Sequence, residues 1–187
     1  QIIKADLVGP RFAEDLRNAA LQSILFALGV IFVYILIRFK KWYYSAGAVA
    51  ALAHDVIITL GLFTLLYDIV PFSLDIDQAI IAAFLTIVGY SLNDTVVVFD
   101  RIRENNLIFK TEDYDKTVNR SINNTLSRTV VTSVTTLLAV TILFVFGGEV
   151  LKGLSLALIM GILLGTYSSI FVASSLLVDL QARKATS

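Results

Sequence analysis

Four charged or titratable side chains stand where the surrounding sequence leaves little room for charge. Asp94 ends the run Gly89-Tyr90-Ser91-Leu92-Asn93-Asp94 inside an apolar stretch, His54 and Asp55 are neighbours inside another, and Arg128 stands at the edge of a third. A charged side chain at mid-helix in hydrocarbon costs about 2.5 to 3.5 kcal/mol even on the lenient insertion scale. Asp94 must therefore be neutral, paired or hydrated. Tyr90, one turn earlier, and Ser91, three residues earlier, are expected to hydrogen-bond its carboxyl group, with Asn93 as a further polar neighbour. Arg128 is the expected counter-ion, provided that the helices carrying the two residues are antiparallel neighbours. The chemistry that suits such a pair is reversible proton carriage. Arginine does not titrate in proteins and an aspartate does, so movement of the cation switches the carboxyl group between loading and releasing a proton. A structural salt bridge that fixes helix order is the competing reading. His54 and Asp55 are weaker candidates, because a lone His-Asp dipeptide is more often an internal hydrogen-bonding group than a relay. Their depth admits them to the same hydrated path.

Hydroxyl groups form a second pattern. Thr129, Thr132, Ser133 and Thr136 recur at i, i+3, i+4 and i+7, one face of a helix. Packing is the favoured reading of that face, and the lining of a hydrated path is the alternative. Further on, Gly153, Ala157, Gly161, Gly165, Ser169 and Ala173 make a small-x-x-x-small ridge that admits a close helix neighbour.

The elements that must hold these residues are set by composition. The 187 residues balance 15 basic against 15 acidic side chains, 57% are hydrophobic and only 16% are charged. Mean hydropathy is +0.80. About a quarter of the residues of an ordinary soluble domain are charged, so the apolar surplus exceeds one soluble core. Zero net charge removes the clustered basic excess of a nucleic-acid-binding protein. With no cysteine and one histidine, disulfides, thiolate zinc sites, cysteine nucleophiles and multi-histidine metal sites are excluded. Five stretches reach the roughly 20 mostly apolar residues that a bilayer-crossing helix needs: 19–37, 46–67, 78–98, 129–147 and 153–178. Asp55 and Asp94 are the only charged residues within them. The runs are continuous rather than alternating, which favours helices over barrel strands. The expected fold is an all-α polytopic membrane bundle.

Eleven of the fifteen lysines and arginines follow the first, third or fifth span. By the positive-inside rule the C-terminus is expected in the cytoplasm and the N-terminus outside, with the acidic turn from Asp68 to Asp77 also outside. An odd number of spans with an outside start and no initiating methionine predicts a preceding segment. Residues 1–18 read as a short outer interfacial helix with a Phe12, Leu16 and Ala20 stripe. Residues 101–128 form the long cytoplasmic connection, in which Tyr114, Val118, Ile122 and Leu126 make an apolar face. It either lies at the interface or leads straight into the fourth span. Residues 179–187 form a cytoplasmic tail.

The run from Val88 through Asp94, Asp100 and Arg101 to Asn105 resembles the signature of the SecF family of bacterial protein-export membrane proteins. Ala53-His54-Asp55-Val56, Asn124-Thr125-Leu126-Ser127-Arg128-Thr129 and Val8-Gly9-Pro10 also resemble it. The likeness covers nearly the whole chain. It implies membership of the resistance-nodulation-division superfamily, five of the six spans of one half, and an absent first span and periplasmic domain. The chain is then either part of a separate SecF or the C-terminal half of a fused SecDF. The resemblance implies that Asp94 and Arg128 serve proton transport; Asn93, Tyr90, Ser91, His54, Asp55, Thr129 and Thr132 are accessory candidates from the residues themselves. It also implies a SecD or SecD-like partner, the Sec translocation channel, unfolded preprotein and membrane lipid as partners, and the bacterial inner membrane as location. No cofactor beyond the proton gradient, no metal, no nucleic acid and no covalent enzymatic reaction are expected. A non-transporting scaffold of the translocase and a small-molecule exporter are the alternative functions.

Overall fold

A computed structural model describes the backbone of residues 10–186 and the side chains of residues 14–183. The described residues form five α-helices and no strand: α1 Pro10–Phe39, α2 Trp42–Leu66, α3 Gln78–Ile108, α4 Tyr114–Phe146 and α5 Glu149–Thr186. All five are long and apolar enough to cross a membrane. Short connections make consecutive helices antiparallel neighbours. Residues 1–9 of the expected outer segment lie outside the described residues. From Pro10 onward α1 is continuous, with no break at residue 18. Proline suits a helix start because the first turn has no use for its missing N–H. The connection over residues 101–128 follows the second of its two readings: α3 extends to Ile108, and α4 starts at Tyr114 and runs without interruption into the apolar stretch.

α3 and α5 form the centre of the bundle, α2 flanks both, and α1 and α4 lie outside. Leu25, Phe26, Val30 and Ile37 on α1, and Val131, Leu138, Ile142 and Phe146 on α4, are exposed. Those faces suit contact with hydrocarbon or another apolar helix. The small ridge on α5 is buried along its length. A Cβ added at Gly161 would come 2.3 Å from Ile87 side-chain atoms, and one at Gly165 would come 2.9 Å from the Ser91 Cβ. Glycine at these two positions is what lets α3 lie against α5, the close approach that drives helix association in lipid where hydrophobic burial cannot.

Polar contacts finish both ends. At the elbow between α1 and α2, Lys40 adopts φ 58°, and Phe39 stacks on Tyr44 with ring centroids 4.9 Å apart. Arg38 pairs with Asp100 at 3.0 Å. Asn105 donates to Ser121 at 2.8 Å, and Val118 is buried against the same cluster, so the first turns of α4 are fastened to the end of α3. At the opposite end, Asp77 caps α3 by accepting from the Ile80 N–H at 2.9 Å. In the preceding loop, hydrogen bonds from the Ser73 and Tyr67 hydroxyls hold the Asp75 carboxyl below the usual range.

Candidate functional site

Two aspartates on neighbouring helices occupy very different surroundings. Asp55 lies on the face of α2 that meets α3 and α5 and is fully buried. Its Oδ2 accepts from Ser91 Oγ of α3 at 2.6 Å and from Ser168 Oγ of α5 at 2.6 Å. Its Oδ1 lies 3.1 Å from His54 Nδ1. One carboxylate thus ties three helices together. The His54 side chain keeps 36% of its surface exposed, so the ring reaches from the buried carboxylate to the edge of the bundle. Gly165 makes the convergence possible, because any side chain there would push Ser91 away from Ser168.

The expectation that Ser91 and Tyr90 hydrogen-bond Asp94 is corrected here. Ser91 bonds Asp55, and the Tyr90 hydroxyl donates to Thr136 Oγ1 on α4 at 3.3 Å. At 3.6 residues per turn Ser91 is rotated from Asp94 toward α5 and α2, where a buried carboxylate competes for it. The long Tyr90 side chain reaches α4 instead.

Asp94 is itself 4% exposed, and its Oδ2 is buried without a hydrogen-bond partner. Thr95 Oγ1 and Thr129 Oγ1, on the same two helices, are buried and unpartnered as well. Arg128 lies near enough to act electrostatically on the carboxyl. The two form no ion pair within 4.0 Å, so Arg128 acts as a counter-ion from a distance and the direct salt bridge of the competing reading is not formed. The Arg128 side chain instead lines a cleft of about 310 Å³ with Val97, Asp100, Arg101, Glu104 and Asn124. Val96 also lines it, and Val96 and Val97 follow Asp94 by two and three residues, so the lining on α3 starts about 3 Å along the helix from Asp94. In this cleft Arg101 is paired with Glu104 at 2.7 Å, and Asp100 with Arg38 and Arg103. Arg128 has no such partner among the described residues. A buried carboxyl group with spare acceptor capacity, next to an unpaired cation in a polar cleft, has the parts needed to take up and release a proton.

The remaining accessory candidates separate. Ser133 Oγ and Thr166 Oγ1 on α5 are 2.6 Å apart, and Thr136 accepts from Tyr90, so these two hydroxyls pack helices together. Thr132 bonds back to the Arg128 and Thr129 carbonyls. Thr129 alone is buried with its hydroxyl free to serve another group. Asn93 is exposed on α3. No group of three or more histidine, aspartate or glutamate side chains suited to a metal occurs among the described residues. Sequence reasoning missed Ser168. Its signal was available as a hydroxyl on an otherwise apolar face of α5, but nothing in one dimension aimed it at Asp55.

Comparison with known proteins gives this arrangement a family. Residues 1–183 match the family described as protein export membrane protein SecD/SecF, C-terminal. The chain is 68% identical over 185 residues to the protein translocase subunit SecF of Rhodothermus marinus, covering 99% of this chain and 60% of that protein. It is 46% identical over 183 residues to the protein translocase subunit SecDF of Thermus thermophilus, covering 98% of this chain and 24% of that protein. A crystal structure of SecDF in a super-membrane-facing form superposes with a TM-score of 0.83 at 45% identity, over 96% of this chain and 23% of that one. The chain therefore spans 60% of the length of that SecF and about a quarter of that of the SecDF proteins. With the helical fold in agreement, the chain belongs to the SecD/SecF family of protein-export membrane proteins.

Proposed function

We propose that this chain is the membrane bundle of a SecF-type subunit that uses proton flow to assist Sec-dependent export of unfolded preproteins. In this reading Asp94 carries the proton and Arg128 tunes its release. The observation that carries the reading is the state of Asp94: buried, with an unpartnered carboxylate oxygen, and one turn from a polar cleft that holds an unpaired Arg128. A carboxylate kept only as a structural anchor would have its oxygens satisfied, as those of Asp55 are. One charge moved across 100 mV is worth about 2.3 kcal/mol, enough to bias a conformational equilibrium roughly fiftyfold. The proton gradient is the only energy source required, and the subunit acts without a cofactor or a covalent reaction. Its partners are a SecD-type half, the Sec translocation channel, the emerging preprotein and lipid. Its place is the bacterial inner membrane, with the C-terminus cytoplasmic.

The test is Asp94→Asn in the full-length protein with its SecD-type partner. Intact assembly with loss of proton-dependent export is the expected result. Normal export from an assembled Asp94→Asn complex overturns the proton-carrier reading and leaves the non-transporting scaffold. Drug sensitivity without a secretion defect would point to small-molecule efflux instead.

A further inference from the structure

Asp55 has no place in the mechanism just described, yet it is the best-coordinated acid in the bundle. We propose that Asp55 is a positioning residue for proton exchange at Asp94, acting through Ser91. This inference rests on the reading of Asp94 as the proton carrier.

The geometry is specific. Ser91 and Asp94 share one turn of α3, and Ser91 hands its hydroxyl to Asp55 at 2.6 Å. Gly165 brings α5 against the same turn, so Ser91 is held between an acceptor on α2 and the backbone of α5. Rotation of α3 about its axis is thereby resisted at the level where it would turn Asp94 toward or away from the cleft lined by Arg128. Ser168 is not equivalent to Ser91, although it binds the same oxygen. Its hydroxyl also lies 3.3 Å from the Gly165 carbonyl on its own helix. Losing Asp55 therefore leaves Ser168 an acceptor, whereas the Ser91 hydroxyl has no other hydrogen bond. The clamp is strong toward α3 and replaceable toward α5.

The charged surroundings are few. On α2 the neighbour is His54; on α3 it is Asp94, one turn away; on α4 it is Arg128, near Asp94. α1 between Asn18 and Ile37, and α5 between Gly153 and Val178, carry no charged residue. A change at Asp55 therefore reaches Asp94 through helix placement and through this short set of charges.

The experiment uses the full-length subunit with its SecD-type partner in proteoliposomes, with export measured against pH. Asp55→Asn, Ser91→Ala and Ser168→Ala are compared, with Asp94→Asn as the reference. Asp55→Asn is expected to assemble, to lower export on the order of tenfold, as misplacement of a reacting group does, and to displace the pH midpoint by about one unit. Ser91→Ala should displace the midpoint in the same direction by less, and the double variant no further than Asp55→Asn alone. Ser168→Ala should leave the midpoint unchanged. An unmoved midpoint in both Asp55→Asn and Ser91→Ala overturns the proposal, as does equal displacement by Ser91→Ala and Ser168→Ala. If Asp55→Asn does not assemble, Ser91→Ala decides alone. Loss of export in Asp94→Asn together with an unmoved Ser91→Ala profile removes this inference and spares the proton-carrier reading. Normal export in Asp94→Asn removes both.

Discussion

Asp55 and Asp94 are both buried aspartates in membrane-crossing helices, and Ser91 stands between them, yet the bundle treats them in opposite ways. The Asp55 carboxylate meets two serine hydroxyls and a histidine nitrogen from three helices. Asp94 has an oxygen with no partner and an arginine that acts on it only from a distance. The same functional group at nearly the same depth is thus fully satisfied in one place and left with spare acceptor capacity in the other. Satisfied buried polar groups rigidify what they join. An unsatisfied one is held at a free-energy cost, which is tolerable where a proton or water is exchanged.

Ways to break that contrast can be ordered by effect. Neutralising the unsatisfied member comes first: on the proton-carrier proposal, Asp94→Asn should lower proton-dependent export on the order of 10²-fold, the usual scale for losing a proton-transfer group, while leaving thermal stability in detergent close to that of the parent protein. Equal losses of stability and export would erase the distinction between the two aspartates.

Next come changes at the packing that supports the anchor. Gly161→Ala places a Cβ against the stiff, buried Ile87 side chain, and overpacking of this kind costs about 1 to 3 kcal/mol. Thermal unfolding should show the loss, and Ile87→Ala in the same chain should recover part of it. Failure of that rescue would mean that α3 and α5 do not meet where the ridge places them. Removing the anchor, as in Asp55→Ala, should cost about 1 to 2 kcal/mol, since interhelical hydrogen bonds in membrane proteins average below 1 kcal/mol each. The smallest effect belongs to the loop between α2 and α3. Ser73 and Tyr67 lower the Asp75 pKa in the folded protein, so their stabilisation is full above the ordinary carboxylate range. It fades as pH falls below about 4. Asp75→Asn should flatten that acid limb in a thermal-stability titration and leave the pH 7 profile in place.

Much of this was legible from residue order alone. Five apolar runs of bilayer length dictate five helices because a backbone in hydrocarbon must satisfy its own hydrogen bonds. The four-residue spacing of Gly153, Ala157, Gly161 and Gly165 marks the face of α5 that α3 approaches. Asp94 and Arg128 stand out because charge in an apolar run is costly. The partners were less legible. Ser91 lies so close to Asp94 in sequence that bonding between them was the natural expectation, and Ser168 lies more than a hundred residues from Asp55. Hydrogen-bond choice depends on which acceptor a neighbouring helix brings within 3 Å, and that is a property of helix rotation and crossing.

The sequence by itself thus determined the helical class, the number of apolar segments long enough to cross a membrane and the short list of charges that can matter, because hydrophobic length and desolvation cost are properties of segments. Only the tertiary structure decided that Ser91 serves Asp55, that Arg128 stands in a cleft rather than against Asp94, and that Thr129 is left free where Ser133 is not. Those outcomes turn on ångström-scale distances between helices, set where glycines on α5 let α3 come close.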